Sequence, residues 1–186
     1  MDFLDIMRSR KSCRSYDPTK PVSREDLLKI VEAGRLSPSG CNSQPWKFIV
    51  ADSPEAKEKL CDAIVVKGGA TGAPWRHQVP AFIILVEQKA ALKPMVVEHY
   101  GDTQRFAQGD IGAACMNMCH EAFSLGLATC MIGMNDQAKM EEYFGIPHDV
   151  GWGPCCVETG WTVAEITTGM LVGKGIFNGS LKPKKK

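Results

Sequence analysis

The chain has 186 residues, of which 44% are hydrophobic and 23% charged, and a formal net charge of +1. That length suits one domain, or one domain with arms, and the composition is that of an ordinary globular protein. The near-neutral charge excludes a large basic field of the kind that attracts nucleic acid, and no apolar run approaches the length of a membrane span.

The N-terminal MDFLDIMRSR lacks the charged start and long apolar run of a signal peptide. A cytoplasmic protein is therefore expected, with its eight cysteines mostly free thiols. Phe3, Ile6 and Met7 recur at helical spacing and predict a short helix over residues 2–9. Pro18 and Pro21 then break the chain. Ser23 predicts an N-cap, with Glu25 and Asp26 at the positive end of a helix that carries Leu27, Leu28, Ile30 and Val31 and stops before Pro38. Trp46 to Ala51 reads as a strand, and Ser53-Pro54 as the start of the next helix. Residues 67–78 (KGGATGAPWRHQ) form a loop. Val79 to Glu87 is a continuous apolar run, so a central strand covered on both faces.

Asp102 to Leu125 is the longest predicted helix, rich in Ala, Gly and Cys, with Gly126 as its C-cap. Ala128 to Met134 reads as a strand, Asn135 as the cap of a helix ending at Gly145, and Pro154 to Thr159 as the last strand core. The Gly-rich sequence from Ala164 to Lys186 resists assignment and reads as a C-terminal extension of a single 1–186 domain. Its PKKK end is a solvated tail or an interaction tail. Helices and strands interleave, yet no G-x-G-x-x-G follows a strand.

Three places can carry chemistry. In R-K-S-C-R, Arg10, Ser12 and Arg14 alternate, so an extended segment turns two guanidiniums and a hydroxyl the same way. That is an anion site, well matched to phosphate, or a solvated basic loop. In S-P-S-G-C-N-S-Q-P-W, Ser39, Asn42 and Gln44 can read the polar edge of a planar ligand, since an amide both donates and accepts; alternatively they stabilise the loop locally. In C-M-I-G-M, Gly133 ends a predicted strand and lets backbone N–H groups approach a ligand, or simply makes a tight turn. Cys115 and Cys119 lie one turn apart on the long helix. Core thiols are the expected reading there, zinc the remote one, and no metal is expected.

The order R-x-S-x-R, then S-P-S-x-x-N-x-Q-P-W-x-F-I-V, then G-D-I-G-A-A, then I-G resembles the FMN-dependent nitroreductase family over residues 6 to about 160. The resemblance implies an α+β fold with a central, mainly antiparallel sheet flanked by helices and a long central helix at a homodimer interface. It implies FMN as bound cofactor and NADH or NADPH as cosubstrate. Arg10, Lys11, Ser12 and Arg14 match the positions that hold the FMN phosphate and ribityl chain. Pro38, Ser39, Gly40 and Asn42 match the segment laid along the flavin ring from the second subunit, with Gln44 beside it and Gly40 and Cys41 lining the substrate pocket. Ile132 and Gly133 match positions whose backbone amides face the ring. Arg76 or Gln78 is a candidate for the flavin N1 side, and Lys174 or a tail lysine for the phosphate. No catalytic side chain is required, because the flavin carries the chemistry. The implied activity is ping-pong reduction of nitroaromatics, quinones or similar small-molecule acceptors by NAD(P)H. The rival reading is a non-catalytic flavin-binding or redox-sensing protein.

Overall fold

The computed structural model describes residues 2–65, 68–71, 73–101 and 104–146, and the backbone of 168–173. In chain order the elements are α1 (Phe3–Ser9), α2 (Arg24–Arg35), β1 (Trp46–Ala51), α3 (Pro54–Ala63), β2 (Ala81–Glu87), α4 (Pro94–Tyr100), α5 (Gln104–Ser124), β3 (Ala128–Ile132), α6 (Gln137–Phe144) and β4 (Thr168–Gly173). One-turn helical segments cover Gly40–Asn42 and Arg76–Gln78.

The continuous apolar run predicted as a central strand becomes β2, and all seven of its residues are buried. Successive strand side chains point to opposite faces, and β2 feeds two separate cores. Ala81, Ile83 and Leu85 join Leu27, Ile30, Ile111, Ala114 and Met118 on the α2 and α5 side. Phe82, Ile84 and Val86 join Tyr16, Leu60, Ile64, Cys130 and Met140 on the other. Full burial of such side chains stabilises by roughly 1.5–3 kcal/mol each, which is why an unbroken apolar run suits a strand covered twice.

The sheet has the order β1-β2-β4-β3, with every neighbour antiparallel. This is the α+β, antiparallel architecture that the family resemblance implies. The strand between β2 and β3 comes from residues 168–173, within the Gly-rich stretch that the sequence left unassigned. Its register sets Ile84 opposite Gly169 and Cys130 opposite Leu171. The expected strand at Pro154–Thr159 lies outside the described residues, as do Cys155 and Cys156.

Caps fall where side-chain chemistry dictates. Ser23 accepts from the Asp26 N–H and Ser53 from the Ala56 N–H, as predicted. The next cap is corrected by one residue. Asp136, not Asn135, accepts from the N–H groups of Ala138 and Lys139, and a carboxylate serves those amides better than an amide oxygen. β3 accordingly ends at Ile132 rather than Met134. Gly145 closes α6 in the left-handed conformation, φ 62°. Helix α4 was not foreseen. It is short and buries no residue, so it leaves no periodic apolar signal. Among the described residues no helix is long and apolar enough to cross a membrane.

Gly34 sets how closely α2 approaches α5. A Cβ there would meet Met118 Sδ at 2.8 Å, Met118 Cγ at 2.9 Å and Phe48 Cε1 at 3.0 Å. Gly34→Ala gains about 1 kcal/mol of helix propensity, but Met118 is fully buried and overpacking costs about 1–3 kcal/mol. The variant should be less stable by about 1 kcal/mol in urea denaturation; a gain in stability would mean that the α2–α5 contact yields freely.

Candidate functional site

Residues 10–16 form an extended segment docked on β3. Ser12 bridges Thr129 in parallel register, and the Cys13 N–H donates to the Thr129 carbonyl at 2.8 Å. The buried Tyr16 hydroxyl donates back to the Cys13 carbonyl at 3.1 Å, and the Tyr16 N–H donates to Gln78 Oε1 at 3.1 Å. Burial raises the Tyr16 pKa far beyond its usual value, so the phenol keeps its proton and stays a donor. Burial along the segment does not follow a simple alternation: Cys13 is buried, Arg10 and Ser12 are half-buried, and Lys11 and Arg14 are exposed.

Arg10 and Arg14 both lie within electrostatic reach of Cys130 on β3. Burial pushes the Cys130 thiol pKa up, and both guanidiniums act on it in the opposite direction. Arg14 also sits over the Trp75 ring, 5.8 Å from its centroid. Among the described residues neither guanidinium is engaged in an ion pair or hydrogen bond. Two uncompensated positive charges are thus held beside β3, whose far end is Ile132 and Gly133. Ile132 is buried and Gly133 exposed, with nothing within 4 Å of where a Cβ would stand.

The second segment is laid along α5. Asn117 Nδ2 donates to Ser37 Oγ at 2.8 Å, and the Ser37 hydroxyl donates to the Ala33 carbonyl, closing α2 against α5. The Gly40 N–H then donates to Asp110 Oδ2 at 2.9 Å. Between these ties Pro38 is exposed and Ser39 half-buried. Beyond them the chain curls through three non-glycine residues of positive φ: Cys41 at 53°, Asn42 at 55° and Gln44 at 47°. Such conformations cost about 1–2 kcal/mol each in L-residues and concentrate at functional loops. Ser39 holds the curl, its hydroxyl oxygen accepting from the Gln44 N–H at 2.9 Å and its carbonyl from the Asn42 N–H. Gln44 Nε2 donates weakly to Asn42 Oδ1 at 3.4 Å. Part of this polar chemistry therefore serves the loop itself, as the local reading held. The Asn42 amide N–H groups and Gln44 Oε1 are left facing outward chemistry, and Cys41 is exposed.

The two candidates of the 67–78 loop have partners within the chain. Arg76 donates through Nε to the Cys61 carbonyl at 2.8 Å, and Gln78 Oε1 is taken by Tyr16. Each side chain thus helps to anchor the loop through one atom. Lys174 lies outside the described residues. Asp110 is the residue that sequence reasoning missed. It sits in the noted G-D-I-G-A-A stretch, but its partner is 70 residues away. Among the described residues no three His, Cys, Asp or Glu side chains gather as a metal site. Cys115 and Cys119 are buried.

The two segments do not face each other across α5. Gly40 meets Asp110 and Phe106 near its start, whereas Arg10 acts on Cys119 and His120 near its end. At 1.5 Å per residue the two levels are about 14 Å apart along the helix.

The Nitroreductase family model matches residues 7–161. The chain belongs to the nitroreductase family. A major NAD(P)H-flavin oxidoreductase of Aliivibrio fischeri is 51% identical over 61 residues, which cover 33% of this chain and 28% of that protein. A CLA biosynthesis enone reductase of Lactiplantibacillus plantarum is 41% identical over 64 residues, 34% of this chain and 30% of that one. The matched stretches therefore span less than a third of those relatives. A protein from Exiguobacterium sibiricum solved in complex with FMN shares the fold at a TM-score of 0.71 and 23% identity, covering 100% of this chain and 94% of that one.

Asp110→Ala removes a charged acceptor from the Gly40 N–H. The 36–44 loop of this family member should lose about 1.5–3 kcal/mol of local anchoring, measured as faster amide exchange at Gly40 to Gln44 with α5 unchanged. Unaltered exchange there would mean that Ser39 alone holds the loop.

Proposed function

We propose that the protein is an FMN-dependent NAD(P)H oxidoreductase acting on nitroaromatics, quinones or similar conjugated acceptors by a ping-pong route, as a cytoplasmic homodimer. The observation that carries the reading is the placement of Arg10 and Arg14 beside β3 without an ion-pair partner among the described residues. Two guanidiniums beside one strand of an otherwise near-neutral chain suit a phosphate monoester, which accepts bidentate hydrogen bonds and neutralises both charges. FMN ends in such a group.

The residues present fit that cofactor. Arg10, Ser12 and Arg14 would hold its phosphate and ribityl chain, with Lys11 adding charge at the rim. The open backbone at Ile132–Gly133 admits the edge of a flat ring. When bound, FMN supplies the two-electron chemistry, accepting hydride from NAD(P)H and passing electrons to the acceptor. The chain's own work is binding and orientation. Tyr16, Gln78 and Thr129 keep the 10–16 segment rigid, and Asp110 and Ser39 keep the 38–44 loop rigid.

The separation of the two segments along α5 supports a shared site, in which residues 38–44 of one copy cover the cofactor held by residues 10–14 of another. Helix α5 favours such pairing. Beyond its buried side it presents Gly109, Gly112 and Ala113 to solvent, with nothing within 4 Å of either glycine's would-be Cβ. A helix apolar on several faces seeks a second cover. The relatives named above bring the flavin, nicotinamide and enone chemistry to which this reading points, and an enone is a conjugated electrophile of the proposed class.

An absorbance spectrum of the protein incubated with FMN and passed through a desalting column tests the reading. A retained flavin band that bleaches anaerobically with NADH or NADPH and returns with a quinone supports it. A retained band that does not bleach favours a flavin-binding sensor, and no retained flavin overturns both. Arg10→Ala and Arg14→Ala should each weaken FMN retention by about 1.5–3 kcal/mol, on the order of 10- to 100-fold in Kd. Unchanged affinity in both would remove the phosphate assignment.

A further inference from the structure

Between α5 and β3, two thiols and a thioether meet. Cys115 and Cys119 stand one turn apart on one face of α5 and are buried in the same core cluster. Met131 reaches in from β3 and places Sδ 3.1 Å from Cys115 Sγ. Thr129, two residues earlier on the same face of β3, is buried beside this group. Both cysteines are buried, whereas Met131 is 39% exposed, so the group has one side open to solvent.

We propose that Cys115, Cys119 and Met131 form a three-sulfur site for a soft monovalent cation, Cu(I).

The donor set selects the ion. Thiolate and thioether sulfur prefer Cu(I), whereas a divalent zinc ion asks for a fourth nitrogen, oxygen or sulfur donor. No third His, Cys, Asp or Glu among the described residues joins the pair. Two thiolates and a neutral thioether around a monovalent ion leave one net negative charge. Arg10 lies on the Cys119 side and compensates it. Binding releases the two thiol protons to solvent and transfers no electron. The 3.1 Å approach of Cys115 and Met131 leaves too little room for an ion at rest. Met131 is unbranched and partly exposed, so it swings back at small cost and closes over the metal. None of its ligands is assigned to FMN; Arg10 is the one residue the two readings share, and the titration without FMN tests the metal site by itself.

The test is an anaerobic titration of the reduced full chain with Cu(I) buffered by a chromogenic Cu(I) chelator, with and without FMN. One Cu(I) per chain should be withdrawn, with sulfur-only coordination in copper X-ray absorption. Cys119→Ser and Met131→Leu should each weaken the affinity by about tenfold or more. Cys61→Ala, which removes a buried thiol from the opposite side of the sheet, should leave it unchanged. If Cys119→Ser does not fold by near-ultraviolet circular dichroism, Met131→Leu decides, because its side chain is on the open edge. Wild-type affinity in Met131→Leu overturns the proposal. So does failure of the wild-type chain to withdraw Cu(I), or equal loss in Cys61→Ala.

Discussion

The packing of α5 is the constraint from which the remaining arrangement follows. The helix is 21 residues long and carries Ala, Gly, Cys and Met on most of its circumference. Its buried residues, Ala107, Ile111, Ala114, Cys115, Met118, Cys119 and Ala122, form one broad apolar face that must be covered. One side takes α2, at a distance set by Gly34 against Met118. Another takes β2 and β3, through Ile111, Ala114 and Cys115. The 36–44 loop closes over its start through Asn117 and Asp110, and α1 lies near its end, where Phe3 meets the His120 ring edge-on at 5.4 Å. Each segment with ligand chemistry is therefore placed by contact with one rigid rod.

That arrangement links stability to function in an economical way. The 10–16 and 36–44 segments are irregular, and irregular chain is mobile unless its backbone groups are satisfied. Here they are satisfied by specific partners: Thr129, Gln78 and Tyr16 for the first, Asp110 and Ser39 for the second. The three left-handed residues in the 41–44 curl cost free energy that those bonds offset. The guanidiniums of Arg10 and Arg14 have no ion-pair partner among the described residues, and a ligand can use them.

Sulfur is distributed with the same economy. Cys13 and Cys130 sit in the core on one side of β3, and Cys115 and Cys119 on the other. As small hydrophobes they let α5 and the 10–16 segment approach the sheet closely. The pairing of Cys119 with Cys115, aided by Thr129 and Arg10, holds its proton less tightly than an ordinary thiol does, while Cys115 holds its own more tightly. That difference belongs to the neighbours, not to cysteine as such.

The sequence alone determined the local features. The N-caps at Ser23 and Ser53, the buried strand read over Val79–Glu87 and found at Ala81–Glu87, and the long helix follow from interactions within a few residues or from periodicity, and they are legible without neighbours. The motifs that mark the nitroreductase family are of the same kind. Tertiary structure alone decided what depends on distant partners. Strand β4 comes from a Gly-rich stretch that the sequence left unassigned, and its ladder partners, β2 and β3, lie far from it in the chain. The internal partners of Arg76 and Gln78, the Cys61 carbonyl and the Tyr16 N–H, were likewise not readable from the sequence. Asp110 became a loop anchor only when Gly40 was folded against it. Hydrogen bonds and close packing reach a few ångströms in space and across any distance in sequence, so pattern names the elements while the fold chooses their partners.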